Sequence, residues 1–515
     1  MKRLAGGVIL SWGWRRRLVA LLAGAVASLA LAPVDFQAAC FIAFPILVWL
    51  LDGAVGTGGR LRQFLPAFTT GWWFGFGYFL AGMWWVGAGF AGGGLAWAIP
   101  FAVLGLPALL ALFYGFATLL ARLLWSDGLG RIAALAFGFG VAEWLRSILT
   151  SGFAWNAVGY AAMPVPPLMQ AAEVIGVFGV SALAVFVFSA PALLATGRHA
   201  RAGLALAALL AAAFVGYGYL RLVTLPPADP LLQVRIVQIG DGQARGPFEA
   251  AFDSYLRLSG GPGTDAATTP RLILWPQVAV PFVLAERPDL LDALGQAVDE
   301  EQVLLVGAMR DESDSSAGTR RLYDSIIAID GTGEIVDAAD KLHLLPFADY
   351  LPFARLLAGI EMPFNATEYA PGTRRRLLPV AEGIRALPLI GSEAAIPDIA
   401  ARQAGDARII VNPAAYVGYA GTPAPYQHLR QAQLRAVEAG LPLLSATAGG
   451  ISAAIDSSGR IIDALAPQAH GALDVSLPAP RPKFLNTGHI RARGLTFVTF
   501  FGILSLLLSI RGRSN

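Results

Sequence analysis

Apolar residues run through the first 225 positions in stretches too long for strands and too continuous for one-sided surface helices. A bilayer core takes about 20 apolar residues per helix, and this length places seven candidate spans at roughly 17–34, 36–52, 65–89, 94–124, 129–150, 171–196 and 202–222. An eighth falls at roughly 494–510. Gly-rich joints such as GFAGGGLAW soften the border between the third and fourth. Beyond residue 225 the pattern changes. Short β-branched runs (QVRIVQI, RLILWPQ, VLLVGAM, SIIAID, RALPLIG, ARIIVNPA, LPLLSAT, SAAIDSSG) alternate with amphipathic stretches such as PDLLDALGQAVDEE and YQHLRQAQLRAVEAG. Buried strands alternating with helices predict an α/β layer architecture. The expected division is a membrane domain of about seven spans at 1–225, an α/β domain at 226–490, and a transmembrane helix with a tail at 491–515.

Composition agrees. The 515 residues are 56% hydrophobic and 14% charged, with a mean hydropathy of +0.58, which is the profile of a membrane protein. The net charge of +3 is small and its basic residues are scattered, so nucleic-acid binding has no support. Cys40 is the single cysteine, which excludes an intrachain disulfide and leaves any thiol chemistry to that residue.

Charge placement predicts orientation. Lys2, Arg3 and Arg15 to Arg17 precede the first span, and Arg60 and Arg62 follow the second. Arg122 and Arg131 flank the joint after the fourth, Arg198 and Arg201 follow the sixth, and Arg511 and Arg513 follow the eighth. The intervening loops carry no Lys or Arg. This is the positive-inside pattern for two cytoplasmic termini, and it puts 226–490 on the periplasmic side of an inner membrane. The first span does not read as a cleaved signal peptide, because further spans follow at once. QAAC, ending at Cys40, is a faint lipobox, and a small buried cysteine is the better reading.

Polar residues inside apolar runs mark candidate chemistry. Glu143 and Arg146 sit three apart on one helix face near a membrane boundary and are expected to pair, as a structural ion pair or as a headgroup site. The aromatic run GWWFGFGYFLAGMWWVGAGF reads as an interfacial belt. In α/β folds chemistry collects beyond strand ends. Three ends stand out: LILWPQ at 272–277, DKLHLLPFADYLPF at 340–353 and LPLIGSE at 387–393.

These strand ends, with YDSIIAIDGTGEIVDAADKLHLLPFADYLPF and YQHLRQAQLRAVEAGLPLLSATAGGISAAIDSSG, strongly resemble the nitrilase (carbon–nitrogen hydrolase) domain of bacterial apolipoprotein N-acyltransferases. FGFGYFLAGMWWV and AEWLRSILTSGFAWNAVGY resemble that family's span motifs. The resemblance covers essentially the whole chain. It implies an αββα sandwich and a two-step acyl transfer in an inner membrane. A cysteine takes an acyl chain from a phospholipid as a thioester and passes it to the α-amine of a diacylglyceryl lipoprotein. A glutamate serves as base and a lysine stabilises the oxyanion. The implied partners are a phospholipid acyl donor or bound lipid, a diacylglyceryl lipoprotein N-terminus and the membrane, with no cofactor and no metal.

Carried over by motif, the resemblance assigns Lys341 to the family lysine, Asp349 to a supporting acid and Glu393 to the glutamate after the nucleophile. Two positions depart from it. Gln277 stands at the base, and an amide accepts no proton at neutral pH. Gly391 stands at the cysteine and has no side chain to attack with. Pro413, Ala415 and Ser445 depart from neighbouring motifs, and the loop before Gln427 is longer. Ser392 is the fallback nucleophile, but it lacks an evident base and reads better as a turn hydroxyl. The expectation is a catalytically degenerate family member that binds lipid or lipoprotein. The alternative is an active N-acyltransferase with Ser392 as an unorthodox nucleophile.

Overall fold

The computed structural model describes every residue except 1, 57–58, 60–61, 92–95, 196–199, 227, 261–268, 313–320, 347, 351–368, 483–488 and 514–515. Parts of the expected motifs, Arg60, Arg198 and Phe347 among them, therefore lie outside the described residues. The chain forms two units: Met1–Gly87, Ala98–Thr224 and Leu485–Asn515 in one, and Ala88–Trp97 with Leu225–Phe484 in the other.

The first unit is helical. Among the described residues five helices are long and apolar enough to cross a membrane: Ala96–Leu123, Leu129–Leu149, Ala172–Ala195, Ala200–Thr224 and Ile490–Arg511. The other three expected spans appear as Gly13–Ala27, Cys40–Asp52 and Leu65–Met83, of 15, 13 and 19 residues. The first gives way to a 3-10 turn at Ser28–Ala30, and the second begins only after another at Gln37–Ala39. Small residues let these helices pack backbone to backbone. A Cβ at Gly24 would lie 1.9 Å from the Phe74 carbonyl oxygen, and one at Gly77 would lie 2.0 Å from that of Leu21. Cys40 is buried and its thiol donates to the Ala27 carbonyl at 3.6 Å.

The second unit is a four-layer α/β sandwich. Its strands in chain order are β1 (Pro230–Gln238), β2 (Leu272–Leu274), β3 (Val280–Val283), β4 (Val303–Asp311), β5 (Leu322–Asp330), β6 (Ile335–Asp340), β7 (Leu378–Ala381), β8 (Ile384–Pro388), β9 (Ile409–Ala415), β10 (Leu443–Ala448), β11 (Ser452–Ile455), β12 (Ile461–Leu465) and β13 (Gly471–Pro478). One sheet runs β13-β1-β2-β4-β5-β6, with β3 added beside β4, and the other runs β12-β11-β10-β9-β8-β7.

Side-chain alternation sorts each strand between layers. Leu272, Leu274, Leu305, Ala386, Ile409 and Val411 point into the core shared by the two sheets. Ile273, Leu304 and Val306 point outward under the helices Phe248–Ser259 and Pro288–Gln296. Leu387 and Ile410 point to the opposite outer layer, under Ile399–Gln403 and Ala424–Ala439. Burial on both faces explains why β2, β9, β10 and the first half of β4 read as largely apolar runs. The parallel pairs β1–β2, β2–β4, β8–β9 and β9–β10 lie inside their sheets.

Candidate functional site

The three strand ends singled out in the sequence meet in this α/β unit. Gln277 follows β2, Lys341 follows β6, and Gly391 follows β8 at the start of a 3-10 turn, Gly391–Ala395. Gly391 has φ +55°, in the left-handed region that side-chain-bearing residues rarely adopt. A Cβ built on it would lie 2.6 Å from Gln277 Oε1, 2.9 Å from Nε2 and 3.0 Å from the amide carbon. The space a side chain at 391 would enter is thus filled by the end of Gln277. That approach is possible because Gly307 of β4 leaves room for the turn: its Cβ would sit 2.2 Å from the Pro276 carbonyl oxygen. Val278, next to Gln277, also has a positive φ of 51°, a strained setting for a β-branched residue and one that clusters at functional sites.

A carboxylate that sequence reasoning missed sits behind the amide. Gln277 Nε2 donates to Asp324 Oδ2 at 2.5 Å, and the same oxygen lies 3.6 Å from Lys341 Nζ. Lys341 Nζ also donates to Asp349 at 2.8 Å to Oδ1 and 2.7 Å to Oδ2. The second Asp349 oxygen accepts the Leu345 N–H at 2.6 Å. Lys341, Asp324 and Asp349 are all buried. Burial works against the Lys341 charge, but Asp349 and Asp324 outweigh it and raise the ammonium's pKa. Asp324 goes the other way: burial lifts its carboxyl to about 6 despite Lys341 and Gln277, with Asp349 and Glu393 adding to the rise. One lysine cannot fully compensate two buried carboxylates.

Glu393 is fully buried and saturated. Arg375 grips it through Nη2 to Oε1 at 2.7 Å and Nη1 to Oε2 at 2.9 Å. Backbone N–H groups of Leu342, His343 and Ile390 donate to it at 3.1, 3.1 and 2.9 Å. Burial opposes its charge, yet Arg375 and these hydrogen bonds hold its carboxyl down to about 2. Every partner favours a fixed carboxylate, so Glu393 ties the Gly391 turn to the segment after Lys341 and has no proton to exchange near neutrality. Asn412 completes the turn's support: its amide donates to the carbonyls of Leu389 and Gly391 at 2.6 and 3.2 Å. That orientation leaves Asn412 Oδ1 to accept from His428 Nε2 at 2.7 Å, and burial drops the imidazole to about 4, keeping it neutral. Ser392 is half-buried in the same turn.

Glu143 and Arg146 are brought close but not together, which corrects the expected pair. Glu143 Oε1 accepts from the Tyr114 hydroxyl at 3.0 Å and the Val158 N–H at 2.7 Å. Arg146 Nη1 donates to the Trp155 carbonyl at 2.8 Å, and its guanidinium lies 5.1 Å from the Phe79 ring centroid. Among the described residues no ion pair joins them. The loop after their helix competes for both side chains, since its backbone groups are buried and need partners.

Gln277, Lys341 and Gly391 were legible as strand-end residues. Asp324 carried one signal, an acid inside the otherwise apolar YDSIIAID. Arg375 carried none, standing between Arg374 and Arg376, which are exposed. Asn412 and His428 carried none either, lying inside the largely apolar β9 and the amphipathic helix Ala424–Ala439.

A sandwich of this topology with a constellation at its strand ends belongs to the carbon–nitrogen hydrolase class, and the carbon–nitrogen hydrolase family matches residues 265–480. The apolipoprotein N-acyltransferase N-terminal domain matches residues 23–190 of the helical part. An apolipoprotein N-acyltransferase of Brucella suis biovar 1 is 50% identical over 499 residues, covering 94% of this chain and 93% of its own. One of Allorhizobium ampelinum is 45% identical over 523 residues, covering 99% of this chain and 97% of its own. Among solved structures, Saccharomyces cerevisiae Nit3, a nitrilase-superfamily member, aligns at 15% identity over 51% of this chain and 94% of its own, with a TM-score of 0.35. With both halves matched and relatives alike end to end, this chain belongs to the apolipoprotein N-acyltransferase family.

Proposed function

We propose that this protein is an inner-membrane member of the family that binds phospholipid or lipoprotein without forming an acyl-enzyme at position 391. The observation that carries this reading is the Gly391 turn. The left-handed backbone after β8 presents no side chain, and the Gln277 amide occupies the space where one would stand. A thioester needs a sulfur there, and Cys40 lies buried in the helical unit. Loss of nucleophile and base together is consistent with their acting as a unit, since removing one leaves little for the other to do. On this reading the positive-inside pattern puts both termini in the cytoplasm and the α/β unit in the periplasm. Lys341, Asp349 and Glu393 hold the strand ends around the Gly391 turn in place.

Complementation tests it. The chain is expressed in cells depleted of their own N-acyltransferase, and lipoproteins are examined for a third acyl chain. The expected result is no triacylated product from this chain, with retained binding of a diacylglyceryl lipopeptide by the purified protein. Recovery through Gln277→Glu with Gly391→Cys would show an otherwise intact site. Rescue by the unmodified chain sinks the proposal. If Ser392→Ala then abolished that rescue, the nucleophile would be Ser392.

A further inference from the structure

We propose that Asp324, not residue 277, is the proton acceptor of this site. This deepens the reading above and rests on the cluster of Gln277, Lys341 and Gly391 being the family's site. Three observations carry it. Asp324 is buried on β5, with Oδ2 held by Gln277 Nε2 at 2.5 Å. Its other oxygen, Oδ1, is buried and has no hydrogen-bond partner among the described residues. Lys341 is already engaged by Asp349 at 2.7 Å and stands 3.6 Å from Asp324. Of the two acids facing one ammonium, Asp324 is therefore the one left over.

An unpartnered buried carboxylate oxygen is costly unless it gains a proton or a donor. Burial is the main push toward its taking up that proton; Lys341 and Gln277 oppose it, and Asp349 and Glu393 add to it. Gln277 cannot do so, because an amide is neither base nor acid in this range. Geometry also connects Asp324 to position 391. The atoms that a Cβ at 391 would strike are the Gln277 amide atoms, and Nε2 of that amide is the donor to Asp324. A side chain at 391 must push this flexible amide aside, and with it the donor that holds Asp324 Oδ2.

The test needs no lipid, so its failure is distinct from failure of the lipoprotein reading, which complementation addresses. Gly391→Cys is made in the full-length protein with Gln277 kept, and the unmodified chain, whose Cys40 is buried, serves as the blank. Alkylation by iodoacetamide is followed against pH. The thiol gives its proton to Asp324 as the sulfur–carbon bond forms and iodide leaves. The expected rate rises through a transition near the Asp324 value of about 6. Adding Asp324→Asn moves the rise to the ordinary thiol range of about 8.5 and slows the reaction at neutral pH by roughly tenfold or more. A profile that Asp324→Asn leaves unmoved, or one that only Gln277→Glu shifts, overturns the proposal. Should Gly391→Cys fail to fold, infrared difference spectra of the unmodified chain decide it. A protonated-carboxyl band that titrates near 6 and vanishes in Asp324→Asn supports Asp324, and a band indifferent to that change, or no band, rejects it.

Discussion

Gly391 and Asp324 show how single residues set the character of this site. At 391 the backbone is left-handed and the nearest neighbours are side-chain amide atoms. Gly391→Ala should lower stability by about 1–3 kcal/mol, from backbone strain together with displacement of Gln277, read by denaturant unfolding of the full chain. Gly391→Ala with Gln277→Ala should recover the part due to crowding and keep the part due to strain. Asp324 makes a prediction about pH. Its folded carboxyl sits at about 6, above the ordinary value of about 3.9, so the folded state binds more protons between those values. Stability contributed at this residue therefore falls as pH climbs through that window. Asp324→Asn should remove this fall, and the unfolding temperature should then drop less between about pH 4 and pH 7 than in the unmodified chain.

At the scale of elements, the turn after β8 is held by a carboxylate serving three segments at once. Glu393 caps its own turn at Ile390, receives the backbone of Leu342 and His343 after β6, and is gripped by Arg375 ahead of β7. Arg375→Met leaves that charge buried without its counter-ion and should cost roughly 3–5 kcal/mol. Because the Glu393 carboxyl is held at about 2, its contribution is complete above the ordinary glutamate value and fades as pH falls toward 2. Acid unfolding should accordingly begin at higher pH in Arg375→Met, followed by circular dichroism. In the helical unit the corresponding device is small residues. Gly24, set against the Phe74 carbonyl, and Gly77, set against the Leu21 carbonyl, let the helices Gly13–Ala27 and Leu65–Met83 pack closely.

For the whole molecule, much of the architecture is readable in the sequence. Long apolar runs announce a membrane part, and short β-branched runs between amphipathic helices announce the sandwich, because strands buried on both faces are apolar over their own short length. The strand ends carrying Gln277, Lys341 and Gly391 were readable for the same reason: the apolar run stops where the strand leaves the core. Also fixed by residue identity alone was the absence of a thiol at 391, since a glycine carries no side chain in any fold. Pairings of buried polar side chains are not readable in the sequence. Asp324 meets Gln277 over a separation of 47 residues, Arg375 is chosen from three consecutive arginines, and Arg146 turns from Glu143 to the Trp155 carbonyl. Each depends on which donor reaches an unsatisfied buried group first, a competition that local pattern does not record and that only the packed tertiary structure resolves.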